Sequence, residues 1–273
     1  MTAKIWSFAS YNLWSLFSPP IGQEIWHCDH KRGFIKAKKN DAIVQELMAQ
    51  DTSWQRIGLL GQQGVYEFHQ DRDLLCSSYG VEQVAKILQL HQETVEIATR
   101  VIEILKNYYE NPILRGKDII KLSRGDEGYP EPILIQQGNY QFNLYAAIDC
   151  IFRELDGTLH ILDFKTGKTD FDRRQGLVYL LAVQYLYPKQ PAIASFYNLE
   201  TNKWSEHITA NPNQLKAIQT ELVKIAKQHQ QELWRYRKNP AEFNQIYPSN
   251  PGINCLYCQF KSICKFFISE VSA

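Results

Sequence analysis

The chain has 273 residues, enough for one large domain or two small ones with a well-buried core. Hydrophobic residues make up 44% and charged residues 22%, as in an ordinary globular protein, and a net charge of +1 excludes bulk electrostatic attraction as the basis of nucleic-acid binding. No stretch reaches the roughly 20 apolar residues of a membrane-spanning helix, so we expect no membrane partner, a cytoplasmic location, and six cysteines that act as ligands or core thiols rather than disulfides.

Residues 5–17 are partly apolar, led only by Lys4 and interrupted by Ser7, Ser10, Asn12 and Ser15; they read as a buried helix, not a signal peptide. A basic cluster follows at Lys31, Arg32, Lys36, Lys38 and Lys39. Residues 41–49 form a short helix. Residues 81–109 carry apolar side chains at helical spacing without proline and predict one or two helices. Residues 113–120 are ambiguous, and 123–132 form a polar turn region with two glycines and two prolines. Strands are predicted over 133–137, 140–153 and 159–165, with Asp156-Gly157 turning between the last two. A helix over 172–187, capped by Asp170 or Asp172, leads to a strand at 192–198 and a return at 203–208. A long helix covers 214–237, its end carrying a second basic cluster of Arg235, Arg237 and Lys238. Hairpin strands followed by a crossover helix and another strand predict an α/β protein: a mixed central sheet flanked by helices.

The chemistry concentrates in Ala147-Ile148-Asp149-Cys150 and Leu162-Asp163-Phe164-Lys165-Thr166-Gly167. Residues two apart on a strand share a face, so Asp163 and Lys165 point together, and a hairpin can bring Asp149 opposite them. Two facing carboxylates in apolar strands repel each other and are costly to bury. A divalent cation resolves both problems, and Mg²⁺ suits a site of one or two carboxylates, water and phosphate oxygens. Parity limits the hairpin. A two-residue turn at Asp156-Gly157 would pair Leu155 with Thr158 and turn Asp149 away from Asp163. We therefore expect an odd loop or a bulge. A loop of Leu155 to Gly157 would set Asp149 opposite Asp163, and one of Asp156 to Thr158 would set it opposite Lys165.

Asp149, Asp163-Phe164-Lys165-Thr166-Gly167, Gln175 and Tyr179 together resemble the PD-(D/E)XK nucleases of the RecB-like branch, which includes recombination helicase–nuclease domains and CRISPR-associated spacer-trimming exonucleases. The resemblance implies a restriction-endonuclease-like core, Asp149 and Asp163 as Mg²⁺ or Mn²⁺ ligands, Lys165 as the catalytic lysine, and Gln175 and Tyr179 on one helix face beside them. It also implies an upstream helix supplying a histidine ligand and a glutamate, matched by Gly64-Val65-Tyr66-Glu67-Phe68-His69. Counted from Gly64, Phe68 stands where the histidine belongs; with His69 as ligand the spacing shifts by one. Glu67 and His69 are two apart and diverge by about 200° on a helix.

Cys255-x-x-Cys258-x₅-Cys264 lies near the C-terminus, and Cys28 is the best fourth ligand. The iron–sulfur members of the same branch carry one cysteine before the nuclease core and three after it, which implies a [4Fe–4S] cluster on Cys28, Cys255, Cys258 and Cys264. Zinc on three cysteines with Cys28, His27 or His30 is the alternative. Cys76 and Cys150 are left as core thiols. The organisation expected is one nuclease domain over 1–273, with its core at about 60–210 and cluster-binding segments at about 26–34 and 250–268. Gly167-Lys168-Thr169 lacks the preceding glycine of a phosphate-binding loop, so no ATPase motor is read here.

The function expected is metal-dependent hydrolysis of DNA, exonuclease-like on single strands or ends, in repair, recombination or CRISPR-type processing, with a helicase or other repair subunit as partner. The alternatives are a catalytically silent DNA-binding module of the same fold and an RNA-directed phosphodiesterase.

Overall fold

The computed structural model describes residues 4–5, 8–50, 52–167 and 171–267. In chain order the helices are α1 Tyr11–Phe17, α2 Asp29–Lys36, α3 Ala42–Ala49, α4 Ser53–Gln70, α5 Gly80–Ile87, α6 Val95–Glu110, α7 Arg173–Leu186, α8 Pro212–Lys238 and α9 Phe243–Ile246. The strands are β1 Lys4–Ile5, β2 Ala9–Ser10, β3 Asp118–Leu122, β4 Ile133–Gln137, β5 Tyr140–Tyr145, β6 Cys150–Arg153, β7 Leu159–Lys165, β8 Ala192–Asn198 and β9 Lys203–Trp204. They divide into two compact units, one of residues 1–50, 132–145 and 216–273, the other of residues 51–131 and 146–215.

The second unit holds a five-stranded mixed sheet in the order β3-β6-β7-β8-β9. β7 and β8 are parallel, as the crossover helix α7 requires, and the other neighbours are antiparallel. One face packs Cys150, Phe152, Leu162 and Phe164 against Ile57, Leu60, Val65 and Phe68 of α4 and Val101, Ile104 and Leu105 of α6. Gly64 lets α4 and α6 come close: a Cβ there would lie 2.2 Å from Leu105 Cδ2. α7 lies on the opposite face, where a Cβ on Gly176 would lie 2.6 Å from Ile208 Cδ1.

The first unit carries a smaller sheet in which β5 pairs in parallel with β1 and β2 and antiparallel with β4. Its helical core is Phe34, Val44, Phe243, Ile246, Tyr247 and Phe260. Arg32 is buried there, paired with Asp29 and Glu232, with its guanidinium 3.8 Å from the Phe17 ring centroid. Lys36 is held below its ordinary pKa by burial. The basic cluster of residues 31–39 is thus partly internal.

Three expectations change. The run 140–153 is not one strand: it ends at Tyr145 and resumes at Cys150, the halves joining different sheets. The run 5–17 is helical only from Tyr11, where Ser10 caps the helix by accepting from Leu13 N–H; Trp6 and Ser7 lie outside the described residues. Cys76 is exposed at the end of a short turn, whereas Cys150 is buried as expected. Among the described residues no helix is long and apolar enough to cross a membrane.

Candidate active site

The β6–β7 hairpin decides whether the carboxylates meet. Cys150 pairs with Leu162, Phe152 with His160 and Arg153 with Leu159. Glu154 N–H donates to Thr158 C=O at 2.9 Å, and Gly157 N–H donates to Glu154 C=O at 2.9 Å. The loop is therefore Leu155-Asp156-Gly157, an odd loop with Gly157 left-handed at φ +89°, as three-residue hairpin loops require. Carrying the register one step further sets Asp149, just before β6, opposite Asp163. Because β6 stops at Cys150, it offers no main-chain acceptor to Phe164 N–H. The Asp149 carboxylate takes that place, accepting at Oδ2 from Phe164 N–H at 2.8 Å.

Asp163 is 3% exposed. Its Oδ1 accepts from Gln175 Nε2 at 2.8 Å and from the Tyr179 hydroxyl at 2.9 Å. Its Oδ2 is ion-paired with the ammonium of Lys165, Nζ at 2.5 Å, and has no other partner among the described residues. Lys165 also donates to Gln175 Oε1 at 3.0 Å. The Gln175 amide orientation follows from this: an ammonium only donates and an ionised carboxylate only accepts, so oxygen turns to Lys165 and nitrogen to Asp163. Gln175 Nε2 also donates to Tyr179 Oη at 2.7 Å, and the tyrosine's own proton is shared between Asp163 and Ala147 C=O, 2.7 Å away. Burial first, then the charges of Asp163 and Asp149, hold the Tyr179 phenol well above its ordinary pKa, so it stays a neutral hydroxyl.

α7 delivers both partners because Gln175 and Tyr179 are one turn apart. Asp172 caps this helix, accepting from Arg174 N–H at 3.0 Å; the alternative cap, Asp170, lies outside the described residues, as do Lys168 and Thr169.

Asp149 keeps some solvent contact but is densely surrounded by protein. Burial, then the Asp163 charge, raises its carboxyl far above the usual carboxylate range, with Lys165 and the Phe164 N–H opposing. With both carboxylates ionised, two acids beside one lysine would leave a net negative charge, and among the described residues Asp163 Oδ2 has no partner but the Lys165 ammonium. Both features fit a divalent cation held between Asp149 and Asp163.

The upstream residues are placed differently. Phe68 is fully buried and stacks on Tyr108, with ring centroids 6.1 Å apart. His69 faces Tyr108 Oη at 2.7 Å, and burial followed by the Arg72 charge pushes its imidazole down to about 4. Glu67 pairs with Arg124 at 3.0 Å. Among the described residues no three His, Cys, Asp or Glu side chains gather at metal-binding distance, so neither Glu67 nor His69 joins Asp149 and Asp163 in this structure. Residues that sequence reasoning missed hold the frame. Asn198, fully buried, donates to Gly167 C=O at 3.0 Å, and Ser123 N–H donates to Asp149 C=O at 2.7 Å. Asn198 ends the predicted strand 192–198, and nothing in the sequence marked it as a partner of the β7 end.

In the first unit Cys28, Cys255, Cys258 and Cys264 line one cavity of about 120 Å³ with Trp26, His30 and Phe267 among the other walls. Among the described residues no three of these side chains gather closely enough to hold a metal ion. His30 faces Tyr247 C=O through Nδ1 at 2.9 Å. His27 Nε2 lies 3.3 Å from Asp29.

A search of curated proteins finds no match. A solved structure described as "Crystal structure of SSO0001" is 13% identical, with a TM-score of 0.32 over 77% of this chain and 96% of that chain, a likeness too slight to carry an argument. The family pattern described as "PD-(D/E)XK nuclease superfamily" matches residues 30–265, which include every residue of the carboxylate–lysine site. The chain belongs to the PD-(D/E)XK nuclease superfamily.

Proposed function

We propose that the protein is a Mg²⁺- or Mn²⁺-dependent deoxyribonuclease of the RecB-like branch, acting on single strands or ends in repair, recombination or CRISPR-type processing. The observation that carries this reading is that the hairpin register sets Asp149 opposite the buried Asp163 beside a single lysine, so that the charge of Asp149 is penalised until a cation balances it. Asp149 and Asp163 would hold that cation, which supplies polarisation of a phosphoryl oxygen and acidification of bound water. Lys165 sits at the open end of β7 and places its ammonium against the phosphate or the attacking water. Gln175 fixes the Lys165 ammonium and the Asp163 carboxylate at once, and Tyr179 anchors Gln175. Glu67 and His69 then serve the α4 framework, not the metal.

The four cysteines would hold a [4Fe–4S] cluster in the first unit. The support for this reading is that all four cysteines line one cavity; zinc on the same thiols is the alternative. The partners are DNA and a helicase or other repair subunit, and the compartment is the cytoplasm.

The test is cleavage of end-labelled single-stranded DNA, duplex DNA and RNA by anaerobically purified protein. The reading expects cleavage of single-stranded DNA, loss of it in Asp163→Ala and Lys165→Ala, and a folded protein in both variants. Cleavage of RNA alone, or activity retained in both variants, contradicts it.

A further inference from the structure

The first turns of α4 run beside the chain leaving β7. A Cβ on Gly58 would lie 3.4 Å from Thr166 Oγ1, and one on Gly167 would lie 3.4 Å from Cζ3 of Trp54. Trp54, Gly58 and Gln62 are four apart and share a helix face. At the far end of that face, Gln62 donates to Ser123 C=O at 3.2 Å, and Ser123 N–H in turn donates to Asp149 C=O. The face therefore borders both limbs of the carboxylate site, with a glycine in the middle and an indole at one end.

Trp54 is 62% exposed, and its ring is backed by a neighbouring guanidinium. The Arg100 guanidinium lies 4.2 Å from its centroid, and Arg100 is ion-paired with Glu200. Glu200 N–H donates to Asn198 Oδ1 at 2.9 Å, and Asn198 holds Gly167 C=O. The indole is thus tied through a chain of polar contacts to the strand end that carries Lys165. Gly167, two residues beyond Lys165, is where the chain bends out of β7 with φ +78°, beside the indole.

We infer that Trp54 is a stacking surface for an unpaired nucleobase adjoining the phosphate at Asp149, Asp163 and Lys165, so that the substrate is engaged as a single strand. This rests on the nuclease reading above. A ring mostly open to solvent, backed by a guanidinium, offers a π-face to any base; base–aromatic stacking contributes about 1–3 kcal/mol and tolerates sequence. A base inside a duplex has both faces covered by its neighbours and cannot use such a surface.

The test compares wild type, Trp54→Ala and Trp54→Phe on a single-stranded DNA oligonucleotide, on the same strand with an abasic site stepped along it, and on a duplex. Trp54 is largely exposed, so the thermal midpoint of the alanine variant should match wild type. The inference expects KM on the single strand to rise about 5- to 150-fold in Trp54→Ala, the range given by that stacking energy, with kcat within about threefold and Trp54→Phe close to wild type. One abasic position should weaken wild type by a similar factor and leave Trp54→Ala unaffected. An unchanged KM in Trp54→Ala, or an equal rise on single strand and duplex, overturns the inference. Oligonucleotide binding under chelation, read by tryptophan quenching, separates it from the nuclease reading. Trp54-dependent binding without any metal-dependent cleavage leaves the stacking surface standing and removes the nuclease. Metal-dependent cleavage indifferent to Trp54 does the reverse.

Discussion

Replacing Asp149 with asparagine should stabilise the metal-free protein while removing its response to divalent cations. The carboxyl is raised from 3.8 to about 8, first by burial and then by the Asp163 charge. A folded-state pKa above the unfolded one means that the folded protein holds the proton more tightly. Stability from this group is therefore full below about pH 4 and declines as pH rises toward 8. At about 1.4 kcal/mol per pKa unit the shift corresponds to at most about 6 kcal/mol. Asp149 keeps some solvent contact, which screens the penalty to roughly 2–4 kcal/mol. Asparagine keeps an oxygen to accept from Phe164 N–H, so the variant loses the charge without losing the hydrogen bond. At about 2–4 °C per kcal/mol for a chain of this size, the midpoint should rise on the order of 5–10 °C at pH 8. The assay is thermal unfolding followed by circular dichroism at pH 5 and pH 8, with chelator and with Mg²⁺. Under chelation the gap between Asp149→Asn and wild type should be large at pH 8 and narrow at pH 5. Mg²⁺ should raise wild type and leave the variant unmoved. A variant less stable than wild type at pH 8 under chelation, or one that gains the same shift from Mg²⁺, refutes the reasoning.

Lys165→Ala should lower kcat by about 10²–10³, the cost of removing one preorganised charge at a developing oxyanion, with the fold intact by circular dichroism. Gln175→Ala frees the Lys165 ammonium and the Asp163 carboxylate together, so kcat should fall about 10-fold or more while the metal-induced thermal shift shrinks. Anaerobically purified protein should be brown and contain about four irons per chain; stoichiometric zinc without iron rejects the cluster. In the first unit a Cβ on Gly33 would meet Tyr247 Cγ at 2.6 Å and Phe243 Cζ at 2.8 Å. Ring atoms cannot swing aside as a chain end can, so Gly33→Ala should destabilise by about 1–3 kcal/mol in chemical denaturation.

The carboxylate–lysine core was legible because strand parity and charge cost both constrain it. β4, β7 and β8 have the predicted bounds, and the three-residue loop is one of the two loops that let Asp149 share a face with Asp163 and Lys165. The Asp-Gly pair favours a tight turn locally, but the two-residue form would have turned a buried carboxylate away from its partner. The division of residues 140–153 was not legible. Phe142, Leu144, Ala146, Ile148, Cys150 and Phe152 are all buried, an unbroken alternation with no glycine or proline to mark where one sheet ends and the other begins. Neither was the fate of the 64–69 segment. Helical spacing shows which residues share a face but not what that face meets; Tyr108 on α6 claims His69, and Arg124 claims Glu67. Buried ion pairs such as Arg32–Glu232 join residues 200 positions apart and leave no local signal in either stretch.

The most direct test of the central claim is a divalent-cation titration of single-stranded DNA cleavage by wild type and Asp163→Asn at equal concentration. The account predicts no cleavage under chelation, saturable cleavage in wild type as Mg²⁺ or Mn²⁺ is added, and a loss of at least about 10³-fold in Asp163→Asn at every cation concentration. Cleavage that persists under chelation, or an Asp163→Asn variant that matches wild type at saturating cation, contradicts it.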